Sequence, residues 1–404
     1  MTMTNTSRAA LLVAVALSLS APPPASARPA PPQAPAAGPA AAPAAIRSPE
    51  VHPDRRITFR LRAPEAKAAS LSFDEGQVQA HAMARDAAGL WSVTIGPVAP
   101  EIYIYNFVVD GLRVLDLANT SLKSGAALSS NVVEVPGTPA RFDEARNVPH
   151  GSINVHTYQS TVQSAPRTMW VYVPDAYYTA PVSRYPVLYL YHGGGGYEGD
   201  WVRDGRAAVI LDNLIAGRQA VPMIIVMPNN TLVAPTGAGS GAGPAAPGPP
   251  ASAATLAREL LTDIIPFIET RYRVVADRES RAIAGLSAGG GTAFPTGLNH
   301  LDTFAYVGEF SSGMFGGTGA NTTTGVAADA NVPGLFTDVA AKQARLKLLY
   351  MSCGSDDPRL PFQVQTFQAL TARGYAPVLR EFEGAHVWKV WRHSLQDFAP
   401  RLFR

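Results

Sequence analysis

The sequence has little of several features that would narrow its function. Its 404 residues contain one cysteine, Cys353, which excludes an intrachain disulfide and a cysteine-rich metal site. Only 16% of residues are charged, and the net charge of +2 is spread along the chain, so we expect neither nucleic acid nor an anionic membrane surface as a partner. No apolar run approaches the roughly 18 to 20 residues of a membrane span, and we expect no membrane anchor.

The first 50 residues have the features of an export signal followed by a linker. Arg8 precedes an apolar run at residues 9–21, and the small-x-small pattern at residues 25–27 is typical of signal cleavage. We therefore predict a signal peptide at residues 1–27 and a secreted or periplasmic mature protein. Residues 28–50 are mostly proline and alanine, a composition that favours an extended linker.

Residues 51–137 alternate apolar and polar side chains, with breaks at glycine and proline. This period of two predicts an antiparallel β-sandwich of about seven short strands. Through residues 59–64, 89–93 and 103–111, the segment resembles the immunoglobulin-like family 48 carbohydrate-binding modules. Glycan binding would need exposed aromatic rings, yet the segment's one tryptophan, Trp91, lies mid-strand and we expect it in the core.

From residue 146 to residue 404 the pattern changes to short β-rich runs separated by helical stretches. The predicted strands are residues 170–173, 187–191, 223–227, 281–284, 304–310, 347–352 and 378–382. The predicted helices are residues 207–216, 255–272, 288–299, 332–344, 361–373 and 389–402. The alternation predicts a mostly parallel sheet covered by helices on both faces, with its reactive edge at the carboxyl ends of the strands.

One predicted strand end carries the motif G-x-S-x-G at residues 285–289. A strand before it and a helix after it form the setting of a nucleophile elbow, in which a tight turn exposes the hydroxyl group of Ser287 above the sheet. The same letters also fit an ordinary glycine-rich loop, because the chain contains 35 glycines.

A serine nucleophile requires a base and an acid that orients the base. The strand at residues 347–352 leads into a loop with two carboxylates, and either Asp356 or Asp357 is a candidate acid. His386 follows the last predicted strand and is the candidate base. The order Ser, Asp, His along the chain is the order that this type of fold uses.

A glycine run at residues 193–196 follows His192 at the end of another predicted strand. Glycines let backbone N–H groups approach developing negative charge, so we predict an oxyanion hole made by Gly194 and Ala288. A phosphate-binding loop is the rival interpretation of such a run. It is disfavoured because no Lys-Ser or Lys-Thr follows.

With these motifs in view, residues 146–404 resemble the esterase D-like α/β-hydrolases. This superfamily holds carbohydrate esterase family 1 (feruloyl and acetyl-xylan esterases), enterochelin-type siderophore esterases and mycolyltransferases. The resemblance rests on residues 148–151, 171–174, 192–201, 227–229, 285–291, 303–308, 353–357 and 384–388. It implies Ser287 as nucleophile, His386 as base, Asp357 rather than Asp356 as acid, Gly194 and Ala288 as oxyanion donors, and no cofactor or metal.

Residues that bind the substrate are harder to predict. Gly193, Trp201 and Trp388 lie in or near the site loops, and we assign them to substrate binding, although for the two tryptophans a core position is an equal alternative. The stretch at residues 234–254 is nearly all Gly, Ala, Pro and Ser and offers few specific side chains.

Taken together, the sequence predicts a secreted serine esterase whose partner is a small-molecule or polysaccharide ester. Feruloyl or acetyl esters of plant polysaccharide are the substrates that the resemblance favours. A siderophore trilactone esterase, an acyltransferase with the same triad and a noncatalytic glycan-binding protein are the alternatives. The oligomeric state cannot be derived from the sequence.

Overall fold

The computed structural model describes residues 45–404 except residues 75, 124, 126–128, 234–249 and 313–331. The predicted signal peptide and most of the predicted linker lie outside this part of the chain, as does most of the stretch at residues 234–254. Residues Ile46–Arg404 form one compact unit. Within the described ranges, no helix combines the length and apolarity that crossing a membrane requires.

The N-terminal part consists of antiparallel strands in two sheets, as predicted. The strands are β1 (Glu50–Val51), β2 (Ile57–Arg62), β3 (Ala69–Asp74), β4 (Val78–Ala82), β5 (Ala84–Arg85), β6 (Leu90–Ile95), β7 (Ile102–Val109), β8 (Leu112–Val114) and β9 (Asn131–Glu134). One sheet has the order β1-β2-β6-β5, and the other has the order β4-β3-β7-β8 with β9 paired to β7. Their facing side chains, including Phe59, Phe73 and Tyr105, form a separate apolar core.

The C-terminal part is built on one eight-stranded sheet. Its strands are β10 (Ser152–Ser160), β11 (Ala165–Val173), β12 (Val187–Tyr191), β13 (Ile224–Pro228), β14 (Arg281–Gly285), β15 (Tyr306–Phe310), β16 (Leu348–Gly354) and β17 (Val378–Phe382). The order is β10-β11-β13-β12-β14-β15-β16-β17. Strands β10 and β11 are antiparallel to their neighbours, and the other pairs are parallel, which confirms the mostly parallel sheet.

Helices cover both faces of this sheet. They are α1 (Ala176–Thr179), α2 (Asp200–Arg203), α3 (Ala207–Ala216), α4 (Pro250–Glu259), α5 (Ile265–Arg271), α6 (Ala288–Asn299), α7 (Val339–Arg345), α8 (Leu360–Ala372) and α9 (Trp388–Phe398), with a π-helical turn at Leu260–Ile264 and 3₁₀ turns at Arg278–Ser280 and Ala399–Arg401. Apolar side chains of α5, α6 and α8 pack on one face, and those of α3 and α9 pack on the other. The predicted α/β fold is therefore confirmed.

The parallel strands bring four loops to one edge of the sheet. The chain leaves β12 at Tyr191, β14 at Gly285, β16 at Gly354 and β17 at Phe382. Because parallel strands end at the same edge, the segments that follow them meet above the sheet. These segments are the four in which the sequence predicts the glycine run, the serine, the acid and the histidine.

Candidate active site

Ser287 lies in a sharp turn between β14 and α6. Its backbone has φ 49° and ψ −121°, a conformation that side-chain-bearing residues rarely adopt. A Cβ atom on Gly285 would lie 2.4 Å from backbone atoms of Gly289, and one on Gly289 would lie 2.3 Å from the carbonyl oxygen of His192. Only glycine fits at both positions, so the two outer residues of G-x-S-x-G permit the strained turn that projects the serine.

The structure brings the predicted serine, histidine and acid into one hydrogen-bonded chain. Ser287 Oγ lies 2.9 Å from His386 Nε2, and His386 Nδ1 lies 2.6 Å from Asp357 Oδ2. An ionised carboxylate only accepts hydrogen bonds, so it fixes the imidazole proton on Nδ1. Nε2 is then left to accept the proton of the serine hydroxyl group.

The carboxylate in this chain is Asp357, whose side chain is fully buried, whereas Asp356 is exposed. Asp357 Oδ1 accepts a hydrogen bond from the backbone N–H of Arg359 at 2.9 Å. Burial works to raise the pKa of Asp357, but the hydrogen bonds from His386 and from the Arg359 backbone outweigh it and hold the pKa below its ordinary value. The side chain therefore stays ionised and can orient the histidine.

His386 is held between the acid and an aromatic side chain. It lies on the loop between β17 and α9, where its side chain keeps 26% of its surface exposed. The indole ring of Trp391, on the first turn of α9, meets the imidazole edge to face with ring centroids 4.9 Å apart. The contact limits ring rotation, so packing as well as hydrogen bonding sets the direction of Nε2.

The glycine run approaches the serine turn. A Cβ atom on Gly194 would lie 3.7 Å from the Cβ atom of Ala288, and both residues are exposed. Ala288 is the first residue of α6, so its N–H group is one of the helix-terminal donors that have no acceptor within the helix. The two predicted oxyanion donors are therefore neighbours at the rim of the site.

His192 fixes the conformation of the glycine run, a role that the sequence analysis did not predict. Its Nε2 accepts a hydrogen bond from the backbone N–H of Asn230 at 2.8 Å, so the ring proton resides on Nδ1 and is donated to the Gly193 carbonyl at 2.8 Å. Burial lowers the pKa of His192 to about 4, and the ring is neutral at physiological pH. The Gly193 C=O and the Gly194 N–H belong to the same trans peptide and point in opposite directions. Because His192 is hydrogen-bonded to this carbonyl, the Gly194 N–H points away from His192.

The prediction that Trp201 binds substrate is wrong. Its side chain has no exposed surface, and its indole N–H donates to the Tyr191 carbonyl at 2.9 Å, so it packs in the core beneath the glycine run. Trp388 is partly buried and stacks edge to face on Trp201, with ring centroids 5.3 Å apart. A substrate-binding role of Trp388 stays a prediction.

Gly193 also stays a predicted substrate contact. The residue is buried, and a Cβ atom there would lie 2.6 Å from Leu286 Cδ1 and 3.3 Å from Ser287 Cβ. A side chain at this position would have to displace Leu286 and press on Ser287, so glycine lets the run lie against the serine turn. Ser311, which the sequence analysis also missed, is fully buried with φ 50°, and its hydroxyl group helps to lower the pKa of Asp357.

Comparison with protein families shows which family the chain belongs to. A family model named Esterase, described as "Putative esterase", matches residues 160–402, more than half of the chain. The chain belongs to this esterase family. The matched residues include Ser287, Asp357 and His386.

Individual relatives agree with the family. The endo-1,4-beta-xylanase/feruloyl esterase of Xylanibacter ruminicola is 30% identical over 88% of this chain, and a ferulic acid esterase of known structure is 28% identical over 62% of this chain and 97% of its own, with a TM-score of 0.51. The chain spans 46% of the Xylanibacter protein and 23% of the endo-1,4-beta-xylanase Y of Acetivibrio thermocellus, less than half of either relative.

A further structural neighbour shares the fold over more of the chain. The enterobactin esterase of Shigella flexneri, solved in the presence of enterobactin, has a TM-score of 0.60 and covers 85% of this chain and 92% of its own. That coverage exceeds what the C-terminal part alone can supply, so the similarity extends into the N-terminal sheets. At 17% identity the likeness concerns the fold alone.

Proposed function

We propose that this protein is an exported serine esterase that hydrolyses feruloyl or acetyl esters of plant polysaccharide. The observation that carries the proposal is the chain of contacts from Ser287 Oγ to His386 Nε2 at 2.9 Å and from His386 Nδ1 to Asp357 at 2.6 Å. The distances suit proton transfer from a serine that would otherwise be a poor nucleophile.

In the acylation step Ser287 Oγ attacks the ester carbonyl while its proton passes to His386 Nε2. The carboxylate of Asp357 stabilises the imidazolium that forms. Negative charge moves onto the carbonyl oxygen, where the N–H groups of Gly194 and Ala288 receive it, each contributing about 3 to 4 kcal/mol to the barrier reduction. Collapse of the tetrahedral intermediate breaks the ester bond, and His386 returns the proton to the leaving alcohol.

The deacylation step reverses these roles with water. His386 takes a proton from a water molecule, the resulting hydroxide adds to the acyl carbonyl, and the same two N–H groups receive the second oxyanion. Expulsion of Ser287 Oγ, reprotonated by His386, releases the carboxylic acid and restores the enzyme. A sugar hydroxyl in place of water gives acyl transfer, and access of the acceptor decides between the two reactions.

The relatives support a feruloyl or acetyl substrate over a siderophore. The two feruloyl-type relatives are 30% and 28% identical to this chain, whereas the enterobactin esterase is 17% identical. The siderophore trilactone is the second candidate, because the enterobactin esterase shares the fold over 85% of the chain. The export signal predicted at residues 1–27 is the basis for a periplasmic or extracellular location.

Acid release from a small substrate panel tests this proposal. The panel contains methyl ferulate, acetylated xylan, a short p-nitrophenyl ester and a ferric trilactone siderophore, with Ser287→Ala as the matched control. We expect turnover of the aryl or acetyl sugar esters by the wild-type protein and a loss of at least about 1000-fold in the variant. Turnover of the siderophore alone would move the function to iron release, and binding of polysaccharide without any hydrolysis would favour the noncatalytic alternative.

A further inference from the structure

The helix that follows the candidate histidine carries a buried cation. Arg392 lies on α9, six residues after His386, and is 2% exposed. Its guanidinium group contacts the carboxylate of Glu101, lies 2.7 Å from Asp143 Oδ2 and donates to the Asp204 carbonyl at 3.1 Å. A buried guanidinium group keeps its charge and requires such partners, so the position of α9 is tied to all three.

These three partners come from separate parts of the chain. Glu101 immediately precedes β7 of the sandwich, and its carbonyl accepts the Val135 N–H at 2.8 Å. Asp143 is buried in the connector, the segment at residues 135–151 between the sandwich and the eight-stranded sheet. Asp204 directly follows α2, eight positions after the glycine run ends at residue 196. Arg392 therefore joins the sandwich, the connector and the end of α2 to the helix that begins beside His386.

Further contacts hold the connector in place. Arg141 Nε lies 2.9 Å from Asp143 Oδ1 and contacts Glu134 of β9, and the second oxygen of Glu134 pairs with Arg206 at the start of α3 at 2.7 Å. The ring of Phe142 packs on His393 of α9 with centroids 4.5 Å apart. The connector is thus attached on both sides of Arg392, and Glu101 and Asp143 are not free to follow a displaced helix.

The position of α9 acts directly on the histidine. Trp391, the residue before Arg392, is the aromatic side chain packed edge to face on His386. A shift of α9 would move this ring and the loop that carries His386, and misplacement of a catalytic group by about 1 Å can cost about 100-fold in rate. The position of His386 relative to Ser287 therefore depends on the position of α9.

The sandwich offers no matching surface for stacking on sugars. Its aromatic side chains are Phe59, Phe73, Trp91, Tyr103, Tyr105 and Phe107, and each is at most 7% exposed. Trp91 packs in the sandwich core, as predicted, and donates its indole N–H to the Ala63 carbonyl at 2.9 Å. Recognition of a sugar face by an aromatic platform is not available to this module.

We propose that the N-terminal sandwich anchors the histidine helix, with Glu101 and Asp143 as positioning residues that act on His386 through Arg392 and Trp391. This inference rests on the proposed triad. It assigns the module a part in catalysis in place of glycan binding.

The test compares carboxylate-to-amide variants in the full chain. Glu101→Gln and Asp143→Asn remove a charge that faces Arg392 and keep the side-chain shape. Asp116→Asn is the matched control, because Asp116 is also a buried sandwich carboxylate, 2% exposed, but its side chain accepts from Ser48 Oγ, just before β1, at 2.6 Å and from Tyr105 OH of β7 at 2.8 Å. The measurements are kcat and KM on a short p-nitrophenyl ester, the rate of fluorophosphonate labelling at Ser287, and thermal unfolding to choose an assay temperature at which every variant is folded.

We expect Glu101→Gln and Asp143→Asn each to lower kcat and the labelling rate by about tenfold or more with KM changed by less than about twofold. Asp116→Asn should keep kcat and the labelling rate near those of the wild-type protein even if its Tm falls. The anchor would be overturned if folded Glu101→Gln kept the wild-type kcat, or if Asp116→Asn lost as much kcat as the other two variants. Either result would leave the triad intact. If Asp143→Asn does not fold, Glu101→Gln still decides. A wild-type protein that fluorophosphonate does not label at Ser287 would overturn the triad and the anchor together.

Discussion

His192 is buried next to the proposed oxyanion donors, and its two ring nitrogens have different tasks. Nδ1 holds the Gly193 carbonyl, and Nε2 accepts from the Asn230 N–H. Asn places an amide nitrogen near the position of Nδ1, whereas Gln places a polar group near Nε2. We predict that His192→Asn keeps more kcat than His192→Gln, because only the former can still orient the peptide that carries the Gly194 N–H.

The expected loss for His192→Gln is about 10- to 100-fold in kcat with little change in KM, since an oxyanion donor acts mainly in the transition state. Steady-state kinetics of the two variants on one p-nitrophenyl ester measures this. If His192→Gln were the more active variant, the site would require the hydrogen bond to Asn230 rather than the one to Gly193.

Glu309 makes stability depend on pH. It is fully buried on β15, and burial raises its pKa to about 8 from an ordinary value of 4.5, even though Ser312 and Gln363 act in the opposite direction. The folded state therefore favours the neutral acid. Its contribution to stability is fully present below pH 4.5 and is lost as the pH rises through about 8, by at most about 1.4 kcal/mol per pH unit.

We predict that Glu309→Gln raises the free energy of unfolding at pH 8 relative to the wild-type protein and that the difference shrinks toward pH 5. Urea unfolding at pH 5, 6.5 and 8 measures it, with the exposed Glu381→Gln on β17 as control. A difference that does not change with pH, or that grows toward pH 5, would refute a neutral Glu309.

Among single residues, the sequence predicted those that belong to a motif or to a fixed order of segments along the chain. Ser287, His386 and Asp357 follow from the elbow, the order of the segments and the family resemblance, and the structure brings them into contact. Trp201 was misassigned because nearness in sequence to a site loop does not say which way a side chain points. His192 and Ser311 act on Asn230 and Asp357, which are far from them in the sequence, so their roles could not be predicted from local sequence.

The turn between β14 and α6 depends on where glycine replaces a side chain. Gly289→Ala would put a Cβ atom 2.3 Å from the His192 carbonyl oxygen, so the glycine run must move. Gly291→Ala, two residues further along α6, finds its nearest atom, Ser312 Oγ, at 3.8 Å. We predict that Gly289→Ala loses about 2 kcal/mol or more of stability together with most of kcat, whereas Gly291→Ala keeps kcat and gains about 0.5 to 1 kcal/mol from helix propensity.

Urea unfolding and kcat of the two alanine variants measure this contrast. Equal behaviour of the pair would mean that the close approach of α6 to the glycine run is not a requirement of the fold.

At the level of helices and strands, several elements were predicted with their bounds and others were missed or shifted. Strands β12 and β17 and helices α3 and α6 have the predicted bounds, and α6 continues through Pro295. Strand β10 was missed, because it is an edge strand with only two buried residues and a mostly polar sequence. Helix α4 begins at Pro250, five residues before the predicted start, because alanine-rich sequence suits helix as well as loop.

For the molecule as a whole, sequence patterns predicted the two sheet architectures but not the connection between them. The contacts of Arg392 with Glu101 and Asp143 join side chains that are 291 and 249 positions apart, and each of these residues reads as an ordinary surface charge in isolation. Burial of a charge becomes visible only after both parts have folded. The role of the sandwich was for this reason the part of the function least accessible to sequence reasoning.

The central claim is that one serine, activated by His386, carries the acyl group. Its most direct test is fluorophosphonate modification of the full chain followed by intact mass and peptide mapping. The account predicts a single adduct on Ser287 that abolishes ester hydrolysis, that is absent in Ser287→Ala and that forms at least about 100-fold more slowly in His386→Ala. An adduct on another residue, or continued hydrolysis by the fully modified protein, would contradict it.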